Sequence, residues 1–146
     1  MITALLIIII FGLLVFVHEL GHFIFAKRAG IKVEEFGFGF PPRLFKVKKG
    51  DTIYSINAIP LGGFVKIFGE QGEGDGQPDS FASKGLLTRT KIVIAGVAMN
   101  ILLAFVILSF VFYFGANVAV TPENQFKVTD RAVSIAQVQS STPASE

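Results

Sequence analysis

Cysteine is absent from this 146-residue chain, and so is tryptophan. Without cysteine there is no disulfide and no thiolate metal site, so any strong metal ligand must be histidine or carboxylate. Histidine is itself scarce, with two copies, His18 and His22. Charge is scarce too: 16% of residues are Asp, Glu, Lys or Arg, and the net charge is +2. The basic residues are not gathered into a nucleic-acid footprint, which excludes a nucleic-acid partner. Without tryptophan, an aromatic belt at a membrane surface must be built from Phe and Tyr.

Apolar residues are abundant. They make up 51% of the chain, and the mean hydropathy is +0.61. That composition is that of a membrane protein whose partner is the lipid bilayer. From Ile2 to Phe16 the only polar side chain is Thr3. Residues 2 to 26 therefore predict a first transmembrane helix of about 37 Å, enough to cross a 30 Å hydrocarbon core with tilt. A cleaved leader fits poorly, since no basic segment precedes the apolar run and no small-x-small site follows it.

Inside that span stands His18-Glu19-Leu20-Gly21-His22. The two histidines are four apart, so they lie on one helical face and can grip one Zn²⁺. Glu19 is beside them, placed to take a proton from an attacking water. Glu and His inside a span are costly unless they act there. The plainer alternative is a helix end at which these three residues mark the water interface.

Lys27 and Arg28 end the span and Gly30 stops the helix. Eleven of the 13 basic residues lie between Lys27 and Lys91. The positive-inside rule then puts loop 27–91 in the cytoplasm and both termini outside, with the metal motif in the cytoplasmic half of the membrane.

Residues 31 to 69 alternate with period two, punctuated by glycine and proline. They predict a small antiparallel sheet of about four strands, with turns at Lys49-Gly50-Asp51 and Pro60-Leu61-Gly62-Gly63. The apolar stretch Ile59 to Phe64 is expected to dip into the membrane against the helices, where irregular backbone is tolerated only when buried in protein or facing water. The Gly-rich acidic stretch Glu70 to Asp79 predicts a flexible, solvated loop. A short amphipathic segment ending in Arg89 and Lys91 leads to a second span, about 92 to 114. Its one strongly polar residue is Asn100, flanked at four-residue spacing by Gly96 and Ala104, a small-residue face for helix contact. Asn100 either glues helices by a hydrogen bond, or orders the metal site, or binds substrate backbone. Residues 121 to 146 are polar, with two short strand-like runs that cannot stand alone.

Four stretches together carry a resemblance: His18 to His22, Phe36-Gly37-Phe38-Gly39, Ile59 to Lys66, and Ala95-Gly96-Val97-Ala98-Met99-Asn100. In this order they resemble the N-terminal half of the site-2 proteases, zinc metalloproteases that cut within the membrane. The similarity is greatest to the bacterial subgroup that cleaves membrane-anchored anti-sigma factors. The family usually has Pro where this chain has Val97. The resemblance implies an α-helical membrane protein with a small β-sheet. Residues 1–120 would hold the first part of the protease domain, with two spans flanking a membrane-associated β-hairpin region. Residues 121–146 would begin a PDZ-like domain. It implies Zn²⁺ on His18 and His22, Glu19 as general base, and a transmembrane substrate such as an anti-sigma factor. Ile59, Pro60, Leu61, Gly62, Gly63 and Asn100 would contact that substrate. It implies a multi-pass protein of the bacterial inner membrane. The family's third zinc ligand is an Asp in an L-D-G motif on a later span. No such motif occurs here, so the chain is expected to be an N-terminal fragment, inactive alone. The rival is a catalytically inactive scaffold or a metal-binding transporter element, for which a transporter's broken, polar spans are missing.

Overall fold

The computed structural model describes residues 2–74 and 76–115. Two compact units divide the chain, Met1–Phe110 and Val111–Glu146. Of the second, the described residues are the last turn of a helix and Gly115. The expected PDZ-like start at 121–146 lies outside the described residues.

The first unit opens with helix α1, Ile2–Arg28. It runs two residues past the expected end because Lys27 and Arg28 fit its last turn, where the carbonyls carry partial negative charge. Gly30, at φ 66°, then stops it. The Ile31 amide donates to the Ala26 carbonyl at 3.0 Å and the Gly30 amide to Lys27 at 3.1 Å, the paired bonds of a Schellman cap. Ile31 and Ala26, joined by that cap, are both buried in the core cluster with Val33, Ile67 and Ile92.

Strands β1 (Val33–Lys49) and β2 (Thr52–Ile67) pair antiparallel in one two-stranded sheet. The four short runs expected from alternation are thus fused into two long, bent strands. Gly39 (φ 79°) and Gly62 (φ 111°) bend the chain without ending it, and register shifts mark the bulges. Pro41 and Pro42 donate no amide, and the register skips from Phe40 to Arg43. Across the sheet, 43–49 lies beside 52–57, which lies beside 35–38, which lies beside 63–67. In the inner contact, from Glu35↔Ile53 to Phe38↔Ile56, the residue numbers rise together. Segment 52–57 is therefore interior and 63–67 is an edge of the sheet.

The sheet lies along α1. At one end the Lys27 Nζ donates to Thr52 Oγ1 at 3.3 Å, and Thr52 donates to the Val33 carbonyl at 2.8 Å. In the middle Phe16 and Phe23, two turns apart on one helical face, stack on Phe36 at 5.5 and 4.8 Å between ring centres. At the other end Gly12 and Val15 meet Pro60 and Gly62: a Cβ on Gly12 would stand 2.8 Å from the Pro60 carbonyl oxygen. Fifteen residues of helix, about 22 Å, separate Gly12 from Lys27.

The stretch expected as a flexible, solvated loop, 70–79, is mostly exposed among its described residues, while backbone hydrogen bonds pin its flanks to the core. Phe81 donates its amide to Phe68 at 2.8 Å, Lys32 donates to Asp79 at 2.9 Å, and Ser80 is fully buried. Helix α2 then runs Leu86–Phe114, absorbing the expected separate amphipathic segment into the span. Leu86 to Lys91 has no helix breaker, and the Gly85 carbonyl accepts the amides of Thr88 and Arg89. Both helices are long and apolar enough to cross a membrane. Of the most apolar 18 residues of each, 6% and 17% are buried. A soluble core helix would be mostly buried, so these faces need lipid or further protein.

Candidate metal centre

A second face of α1 meets α2. Gly21 lets the helices touch: a Cβ there would overlap the Ala95 carbonyl oxygen. This close approach carries the two imidazoles onto α2. The Nε2 atoms of His18 and His22 converge to 3.1 Å, with the rings at 78°. Their other nitrogens face α2. His22 Nδ1 stands 2.7 Å from the Ile92 carbonyl oxygen, and His18 Nδ1 stands 3.5 Å from the Asn100 side-chain amide.

This arrangement suits a zinc ion. Two nitrogens on one tetrahedral zinc, each at about 2.0–2.1 Å, are about 3.3 Å apart. A carbonyl oxygen only accepts, so His22 Nδ1 carries the proton and Nε2 presents its lone pair. Asn100 Oδ1 is buried with no partner. With the amide's O and N exchanged, Oδ1 would face His18 Nδ1–H and accept from it. Both histidines would then ligate through Nε2. Among the described residues no third His, Cys, Asp or Glu joins them.

Glu19 is half-buried and opens on the other flank, into a cavity of about 300 Å³ shared with His22, Val65, Ile67 and Glu70. Its carboxylate faces the backbone amide of Val65 on the 63–67 edge. Val65 and Glu70 are site-lining residues that the sequence does not mark. Alternation marks Val65 only as a strand residue, and Glu70 belongs to a stretch whose composition reads as solvated loop. A larger cavity, about 460 Å³, lies between Phe16 and Phe45. Its lining is almost wholly apolar and includes none of the three motif residues.

The other expected site residues fall in two places. Asn100 is at His18, as described. Pro60, Gly62 and Gly63 lie by Gly12, Val15 and Phe16, on the turns of α1 that precede His18, while Ile59 and Leu61 are exposed. The sheet residues that share the cavity with Glu19 are instead Val65 and Ile67.

The family model described as peptidase family M50 matches residues 6–142. The chain belongs to peptidase family M50, the site-2 protease family. Its relatives in M50 agree. A Clostridium acetobutylicum protein provisionally named a zinc metalloprotease is 47% identical over 100 residues, 68% of this chain and 29% of that protein. The zinc metalloprotease RasP of Geobacillus kaustophilus is 56% identical over 66 residues, 45% of this chain and 16% of that protein. The regulator of sigma-W protease RasP of Bacillus subtilis is 54% identical over 71 residues, 49% of this chain and 17% of that protein. The matched regions thus span under a third of the length of these relatives. With its two apolar helices and its family, this is a membrane protein of a zinc metalloprotease family.

Proposed function

We propose that this chain is the N-terminal part of an intramembrane zinc endopeptidase that cleaves transmembrane segments of membrane-anchored regulators. The observation that carries this is the convergence of two Nε2 atoms to 3.1 Å on a helix apolar enough to cross a membrane, with Glu19 beside them. His18 and His22 would hold Zn²⁺, and a third ligand would come from outside the described residues. When bound, the ion polarises the scissile carbonyl and acidifies water. Glu19 takes the proton from the attacking water and passes it to the leaving amine. A transmembrane helix shields its own peptide bonds, so the substrate must unwind before it is cut. The 63–67 edge would hold it extended by strand addition beside Glu19, with Ile59 to Gly63 guiding its approach.

The name of the B. subtilis relative supports a membrane-anchored regulator, such as an anti-sigma factor, as substrate. The charge asymmetry supports a bacterial cell-membrane protein with loop 27–91 in the cytoplasm and both flanks outside. Residues 121–146 would begin a PDZ-like domain.

Zinc content tests the metal assignment. In the full-length protein, His18→Ala and His22→Ala should each lose the zinc that the parent holds, and lose cleavage with it. Zinc retained at parental stoichiometry in either variant would remove these residues from the site.

A further inference from the structure

Ile92, Gly96 and Asn100 are spaced four apart, so they form one row along α2. That row matches the histidines atom by atom. The Ile92 carbonyl meets His22 Nδ1 at 2.7 Å, and Asn100 meets His18 Nδ1 at 3.5 Å. Gly96, between them, meets the converging Nε2 atoms. A Cβ on Gly96 would stand 2.5 Å from His22 Nε2 and 2.7 Å from His18 Nε2. Those separations are about half an ångström longer than a zinc–imidazole bond. A methyl group at 96 and an ion shared by the two nitrogens would compete for one space.

We propose that α2 is a preformed backing for the metal: Ile92 and Asn100 fix Nε2 as the ligating atom of both histidines, and the missing side chain of Gly96 leaves the space the ion needs. This rests on the zinc-site reading above. Gly96 is accordingly more than a helix-packing residue. Gly21, by comparison, faces the Ala95 carbonyl. Gly96 faces two metal-binding nitrogens instead. Asn100 is a positioning residue. Its side-chain amide lies 3.5 Å from His18 Nδ1, and with its oxygen on that side it accepts from Nδ1–H and leaves Nε2 as the ligating atom.

The two roles make separate demands. Gly96→Ala should abolish stoichiometric binding, because added volume cannot be relieved by a change of hydrogen bonding. Asn100→Leu keeps the volume and removes the acceptor, so zinc affinity should fall by about 10–100-fold. Asn100→Asp keeps the acceptor and should restore affinity to near the parental value.

The test is zinc affinity in the purified full-length protein, read by competition with a chromophoric chelator and by metal analysis. Gly12→Ala is the packing control: its Cβ would crowd the Pro60 carbonyl oxygen at 2.8 Å, away from the nitrogens. The expected result is zinc lost in Gly96→Ala, held in Gly12→Ala, weakened in Asn100→Leu and recovered in Asn100→Asp. Parental affinity in Gly96→Ala would overturn the proposal, as would equal loss in the two alanine variants. If Gly96→Ala does not fold, the Asn100 pair decides, and equal affinity of Leu and Asp variants would overturn it. The zinc-site reading fails separately, through retained zinc in His18→Ala or His22→Ala.

Discussion

His22 reaches across 70 residues of sequence to the carbonyl of Ile92, 2.7 Å from its Nδ1. That contact ties the metal motif of α1 to the start of the second apolar helix. It also puts the proton on Nδ1, so the nitrogen that His22 leaves free of a proton is a consequence of helix packing rather than of the motif alone.

The chain's 146 residues should not form a working protease by themselves. Catalytic zinc sites use three protein ligands, and the described residues bring together two. Purified in detergent, the chain should hold zinc below one per molecule and release it to a mild chelator. Stoichiometric, chelator-resistant zinc with cleavage of a transmembrane peptide would mean that the chain supplies the third ligand itself.

The sheet edge gives a directed test of strand addition. Val65 faces Glu19 from the edge, while Ile56 pairs with Phe38 on one side and Phe45 on the other. Val65→Pro removes one backbone donor at the edge. It should cost cleavage about tenfold through about 1–1.5 kcal/mol of lost hydrogen bonding, with zinc retained. Ile56→Pro should instead disrupt the sheet and lower protein yield. Parental kcat/KM in a folded Val65→Pro protein would mean that the Val65 amide, which faces Glu19, serves neither that carboxylate nor the substrate.

Gly30 and Gly62 both have positive φ, at 66° and 111°, yet alanine should affect them differently. Nothing lies within 4 Å of a Cβ on Gly30, whereas one on Gly62 would stand 2.7 Å from the Val15 side chain. Gly30→Ala should cost about 1 kcal/mol from backbone strain. Gly62→Ala should cost about 2–4 kcal/mol, because overpacking against α1 adds to the strain. Unfolding in detergent measures both. Equal costs would mean that the 59–63 turn is not packed on α1.

Orientation is checked by labelling. Cysteine placed at Ser83 should be inaccessible to an impermeant thiol reagent applied to sealed cells, and cysteine at Ser140 accessible. The reverse pattern would invert the assigned topology.

Much of this arrangement is legible in the sequence because local chemistry determines it. The apolar run and His18, Glu19 and His22 follow from helical spacing, and the stop at Gly30 follows from the cap its φ permits. The turn at Lys49-Gly50-Asp51 likewise appears where glycine allows it. What sequence hides depends on contacts between distant segments. Proline and glycine at 60–63 look like a strand break, but packing on Gly12 and Val15 keeps β2 continuous there. Glu70 is exposed, as its stretch suggests, yet hydrogen bonds around Phe81 and Ser80 bring it to the rim of the cavity, which sequence does not show. Asn100 has three readings in sequence. Its side-chain amide lies 3.5 Å from His18 Nδ1, a contact between the two helices that spacing alone does not reveal.

The most direct measurement of the central claim is cleavage by Glu19→Gln in the full-length protein, with zinc measured on the same sample. Both imidazoles are untouched and the amide cannot take a proton. The account predicts parental zinc content and a fall in the rate of transmembrane-substrate cleavage of about 10²–10⁴-fold. Parental zinc with near-parental cleavage would contradict Glu19 as the general base.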